Sequence, residues 1–126
     1  MGILSEKSLH FAVRIIKLYR HLTVDKKEFV ISKQIVRSGT SIGANINEAD
    51  YGSSRADFIN KMQIALKETA ETEYWLNLLI LSGYLSKQPG DDLLSSCLEI
   101  KRLLVSTVNT AKTKGQNGTA EIPPLE

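Results

Sequence analysis

The sequence predicts an all-α protein, an antiparallel up-and-down four-helix bundle, and three observations carry that expectation. Apolar residues recur at steps of three and four in four separate segments, the period of a helix with one buried face. No segment alternates at period two over a useful length, so strands are not expected. The connections between segments are short, which makes consecutive helices antiparallel neighbours. At 126 residues and 42% hydrophobic, the chain suffices for one domain with one core. That domain is expected over residues 1–114; the polar stretch 115–126, with its Pro-Pro pair, reads as a disordered tail.

The first helix is expected from about Ser5, as N-cap, to Leu22. It carries two apolar stripes, Phe11–Ile15–Leu18–Leu22 and Leu9–Val13–Ile16. The remaining stripe, Lys7–His10–Arg14–Lys17–His21, is basic and holds no acid. A helix apolar over most of its circumference needs more than one partner. Thr23-Val24-Asp25 reads as a turn. The second helix is placed from about Lys26 to Tyr51, on the core stripe Ile35–Gly39–Ile42–Ile46–Ala49. Its middle, Ser38 to Gly43, is poor in helix formers, each glycine costing about 1 kcal/mol against alanine. The stripe nevertheless keeps phase through this region, which favours one continuous helix.

Gly52-Ser53-Ser54 forms the next turn, and Ser54 to Asp57 resembles a capping box with Asp in the usual Glu/Gln place. The third helix is expected over about Ser54 to Leu81, on the heptad-like seam Phe58–Met62–Ala65–Thr69–Thr72–Leu76–Leu79. Gly83 fits the left-handed stop. The fourth helix is placed from near Asp91, where Asp91 and Asp92 suit the positive end of the helix dipole. Its seam is Leu93–Cys97–Ile100–Leu104–Thr107–Ala111.

Charge is unevenly spread. Residues 1–40 hold eight Lys/Arg against three Asp/Glu, residues 41–100 four against nine, and residues 101–126 four against two. A basic end and an acidic middle attract a polyanion, or attract each other across subunits. No signal peptide opens the chain, and the longest apolar run, Trp75 to Leu85, is too short to span a bilayer. A cytoplasmic protein without membrane contact is therefore expected.

Catalytic chemistry finds no foothold. His10 and His21 lie eleven residues apart on one helix, too far to share a metal ion. A di-iron bundle needs Glu-x-x-His pairs, and there are none. Cys97 sits in an apolar seam, where burial raises a thiol pKa and leaves it inert. Gly39 to Ala44 has the composition of a phosphate loop but neither its lysine nor its preceding strand. No catalytic residue, metal or cofactor is expected. The small residues Ser38 to Ala44 suit close helix packing, inside the bundle or across an oligomer interface. The row Arg37–Ser41–Asn45–Glu48 suits hydrogen bonds between helices two and three, to Glu71 or Glu73. The basic stripe is either a solvated face or a phosphate-binding one.

The run Gln34 to Glu48 resembles the signature of the four-helix bundle proteins encoded in 23S rRNA intervening sequences, roughly Q-[IL]-x-R-S-x-x-S-I-x-x-N-I-x-E-G. Arg37, Ser38, Ser41, Ile42, Asn45, Ile46 and Glu48 match at the family's spacing. Asp57-Phe58-Ile59, Ile64-Ala65 and Glu71-Thr72-Glu73 resemble its third helix. Two departures stand out: Ala49 where the family usually has Gly, and Lys67-Glu68 where it often has Gly-Ser. The resemblance implies a ring-shaped homopentamer without established enzyme activity, and gives the seven motif residues a structural or interface role. More distantly, the chain is similar to the accessory variability proteins of diversity-generating retroelements, which implies nucleic-acid and protein binding through basic surfaces.

These readings converge on a non-enzymatic oligomeric bundle that binds RNA or DNA backbone through Lys7, Arg14, Lys17, Lys26, Lys27, Lys101 and Arg102. The competing expectation is a scaffold or adaptor for a larger protein partner, with no nucleic-acid role.

Overall fold

The computed structural model describes the backbone of residues 2–120 and the side chains of residues 2–114. Four α-helices make up the fold: α1 (Ile3–Arg20), α2 (Ile31–Asp50), α3 (Arg55–Leu81) and α4 (Lys87–Ala120). Each packs on the next, and α1 closes the ring against α4. Cross-helix contacts run in opposite residue order. Ser5 meets Asp50 while Ile15 meets Gly39, Glu48 meets Lys61 while Arg37 meets Glu71, and Lys7 meets Glu99 while Arg14 meets Asp92. The bundle is therefore antiparallel and up-and-down.

Of the two apolar stripes on α1, the core takes one. Phe11, Ile15, Leu18 and Leu22 are buried. Leu9, Val13 and Ile16 remain 50%, 45% and 40% exposed. The stripe of α2 is buried from Ile35 to Ala49 through its weak middle. Close approach explains why that middle is small. A Cβ at position 39 would lie 2.9 Å from the Ile15 side chain, so only glycine fits there unless Ile15 moves. The seam of α3 is buried from Met62 to Leu79, with Phe58 packed against its end. On α4 the seam drifts by one residue: Val108 is buried where Thr107 is expected, and Thr107 instead donates to the Leu103 carbonyl at 2.8 Å.

Helix ends depart from the sequence reading for local reasons. Gly2, not Ser5, caps α1, and the Ser5 hydroxyl donates to Asp50 at 3.1 Å. After Arg20 the chain widens into a π-helical turn over His21–Asp25 and then reverses. Lys27 takes a left-handed conformation (φ 56°), which costs a side chain about 1 kcal/mol. That reversal delays α2 to Ile31, later than the expected Lys26. At the other connections Ser54 caps α3 by accepting from the Asp57 N–H at 3.1 Å, while Asp57 accepts from Ser53 rather than from Ser54 itself. Gly83 takes the expected left-handed conformation, φ 86°. The start of α4 lies at Lys87, earlier than Asp91, because Pro89 falls in the first turn, where its missing N–H has no role. Backbone helix continues to Ala120, into the stretch expected to be a tail; 121–126 of that tail lie outside the described residues.

Glu28 was not among the residues the sequence singled out, yet it starts α2. Its carboxylate accepts from the N–H groups of Val30 (3.1 Å), Ile31 (2.8 Å) and Ser32 (2.7 Å). Burial pushes its pKa up, but the backbone donors and the Ser32 hydroxyl outweigh that and hold it below the ordinary 4.5. A carboxyl with a lowered folded pKa stabilises fully above its ordinary value and progressively less as pH falls through the folded one. Replacing Glu28 with Gln is expected to cost about 1–2 kcal/mol at neutral pH in urea unfolding. The loss should shrink toward pH 3, and a penalty that stays constant into acid would contradict the capping role.

Candidate functional site

The helix-two motif builds the seam between α2 and α3. The Arg37 guanidinium forks, donating to Glu68 at 3.2 Å and to Glu71. Glu71 also accepts from the Trp75 indole N–H at 3.1 Å. Arg37 first, and Trp75 after it, hold the Glu71 carboxyl below its ordinary range; Glu71 in turn raises the Arg37 pKa. Beneath this fork the buried hydroxyls of Ser38 and Thr72 hydrogen-bond at 2.8 Å. Ile42 and Ile46 point into the core. Ser41 and Asn45 turn back on their own helix, donating to the carbonyls of Arg37 (2.7 Å) and Ser41 (2.9 Å). Glu48 pairs with Lys61 of α3 at 2.9 Å. The polar row thus joins α2 to α3 at its two ends. Glu73, the other acceptor considered, pairs with Lys101 of α4 at 2.9 Å.

The seven cations singled out for nucleic acid fall into two groups. Lys7 pairs with Glu99 at 3.2 Å, Arg14 donates to Asp92 (2.6 Å) and Ser96 (2.9 Å), and Lys101 is held by Glu73. These three join helices. Lys17, Lys26, Lys27 and Arg102 are exposed and make no ion pair among the described residues. What sequence reasoning missed is the partner stripe: Asp92, Ser96 and Glu99 sit at steps of four and three on α4. That spacing gives one helix face, and an antiparallel neighbour aligns it with Lys7 and Arg14. The signal was present as periodicity in polar rather than apolar residues.

A second surface lies between α1 and α2 on the outside of the bundle. Leu9 and Ala12 of α1 border Thr40, Gly43 and Ala44 of α2 around a shallow groove of about 250 Å³. A Cβ at Gly43 would come within 3.2 Å of the Ser8 hydroxyl, so this groove owes its floor to small residues. Beside it run the exposed Val13 and Ile16.

No group of three or more His, Cys, Asp or Glu that could hold a metal gathers among the described residues. There too, every buried side-chain nitrogen and oxygen has a hydrogen-bond partner. No helix among the described residues is long and apolar enough to cross a membrane. Cys97 is fully buried, its thiol facing the Thr69 carbonyl at 3.5 Å, and burial pushes its pKa up to about 12.

A polar-seamed, antiparallel four-helix bundle is the class that this fold and seam define. The chain belongs to the 23S rRNA-intervening sequence protein family, whose model matches residues 3–106. It is similar to a crystal structure of a protein of unknown function from the S23 ribosomal protein family of Bacteroides thetaiotaomicron VPI-5482. The two are 55% identical with a TM-score of 0.84, over 85% of this chain and 96% of that one. No curated protein matches the chain.

Cys97 supplies a direct check on the seam. Thiolate is the reactive form and is almost absent at pH 8 in a group so raised. A thiol reagent is expected to leave the native protein unmodified and to react stoichiometrically once urea unfolds it. Prompt modification of the native protein would show that α3 and α4 part readily.

Proposed function

We propose that the protein is a non-enzymatic bundle that assembles with copies of itself into a ring, which then serves as a scaffold. The observation that carries this reading is the second apolar stripe of α1. Leu9, Val13 and Ile16 are half exposed on one face, next to a groove of small residues. Covering the rest of such side chains contributes roughly 0.5–1 kcal/mol each, and small residues let a neighbouring helix approach closely. The resemblance carried by Arg37 to Glu48 implies five copies. A ring forms when the apolar stripe of one copy meets a different surface of the next, head to tail. Light scattering coupled to size exclusion is expected to give a particle near five chains for the native protein and a monomer for Val13→Glu. A monomeric native protein at high concentration would refute the reading.

The pattern of ion pairing favours a second role on that scaffold. Helix-joining pairs neutralise Lys7, Arg14 and Lys101, whereas Lys17, Lys26, Lys27 and Arg102 are exposed, make no ion pair among the described residues and can meet the phosphates of RNA or DNA. Binding of this kind is sequence-independent and steeply salt-dependent. The double substitution Lys26→Gln, Lys27→Gln should weaken duplex binding in filter assays at low salt without altering stability by more than about 1 kcal/mol. Arg14→Gln should act the other way round, on stability rather than affinity. A bundle that binds neither structured RNA nor duplex DNA at low salt would instead favour the protein-adaptor role.

A further inference from the structure

The end of the bundle remote from Lys26 and Lys27 holds a groove that the assembly reading does not use. It opens between the start of α3 and the last described turns of α4, with a volume of about 550 Å³. Pockets that take small ligands run from about 300 to 1,000 Å³. Arg55 and Lys114 both line it, together with the apolar ring of Phe58. Ser106 and Thr110 add hydroxyls.

The charge lining this groove is positive only. None of its lining residues is acidic. The chain holds no Asp or Glu from Ile100 to Ala120, while Lys101, Arg102, Lys112 and Lys114 fall in that stretch. Arg55 and Lys114 make no ion pair among the described residues, unlike Lys7 and Arg14. The carboxylate of nearby Asp57 is engaged by the Ser53 N–H at 3.3 Å. A cleft of similar volume between α1 and α4 also holds cations, Arg14 and Lys17, but Asp92 lines it too and is paired with Arg14.

We infer that the α3–α4 groove binds a nucleoside phosphate unit. The phosphate lies between Arg55 and Lys114, where a guanidinium fork and an ammonium both match its oxygens. The base rests against Phe58, as bases do on aromatic side chains in sites that do not read sequence. The Ser106 and Thr110 hydroxyls face the sugar. Inorganic phosphate or an acidic side chain alone would leave the Phe58 ring unused. The unit comes either from a free nucleotide or from a single strand. The groove lies on α3 and α4, across the bundle from the apolar stripe of α1, so a monomeric variant tests whether ring formation matters to it.

The test uses the full chain with two probes, AMP by calorimetry and a 5′-phosphorylated, dye-labelled oligothymidylate by anisotropy. At least one is expected to bind in low salt. Binding of both assigns the site to nucleotides generally, and binding of the strand alone assigns it to the polymer. With two phosphate contacts on a single strand, a tenfold rise in salt should weaken the oligonucleotide roughly 25-fold. Thr110→Glu puts a carboxylate into the groove at an exposed position, and Lys114→Gln removes a cation. Each is expected to weaken binding about tenfold while helical circular dichroism and particle size stay unchanged. The inference fails if neither probe binds, or if both variants bind like the native chain. It also fails if only Lys26→Gln, Lys27→Gln reduces affinity, a result that would place nucleic acid at the opposite end. A monomeric Val13→Glu that still binds would sink ring assembly as a requirement and leave the groove standing.

Discussion

Ile15 of α1 packs directly against Gly39 of α2, and much else follows from that contact. With no Cβ at position 39, α1 lies down on α2 along the stripe that contains Ile15. Phe11, Leu18 and Leu22 share that stripe and go into the core with it. The stripe Leu9–Val13–Ile16 is then turned outward by geometry, since a helix has one side facing its partners. The exposed apolar face and the floor of the α1–α2 groove are therefore the outer side of the contact that sets the core. One glycine accounts for both.

The remaining side of α1 is governed by charge. Lys7 and Arg14 meet the acidic stripe of α4, so two of the side chains that make the first forty residues basic also close the ring of helices. Net charge read from sequence segments hides this, because partners far apart in the chain, 78 positions for Arg14 and Asp92, cancel only once the helices are antiparallel. The pairs at α1–α4 and the Arg37 fork at α2–α3 are partly exposed, and each such pair contributes modestly, about 1 kcal/mol or less. Their larger effect is on register. Arg37 reaches Glu68 and Glu71 together only in one alignment of α2 with α3, and Ser38 finds Thr72 in that same alignment.

Fold class, element order and core stripes were legible because they rest on apolar periodicity, which is a property of each segment alone. The stripe through Ser38 to Gly43 kept its phase despite poor helix formers, and that helix is continuous. Ends were less legible. Glu28 caps α2 from outside the helix, and Lys27 adopts a backbone conformation that no lysine advertises. Ser5 has the chemistry of a cap but takes Asp50 as its partner instead. The candidate site was readable in type and not in placement. Cationic residues could be named, but which of them would be neutralised depended on Asp92, Ser96 and Glu99 lying opposite. The α3–α4 groove escaped notice because Arg55 and Lys114 are 59 positions apart in the chain and meet only through the fold.

The α1–α4 edge has a consequence for how the molecule comes apart. Elsewhere neighbouring helices interlock over long apolar seams, but α1 touches α4 far less than it touches α2, and Lys7 and Arg14 bridge the gap. Ionic strength weakens such bridges and leaves apolar seams intact. Salt thus acts as a solvent-controlled latch on a single edge. Raising it is expected to loosen that edge ahead of the others, visible as modestly faster amide hydrogen exchange in α1 while α3 stays protected.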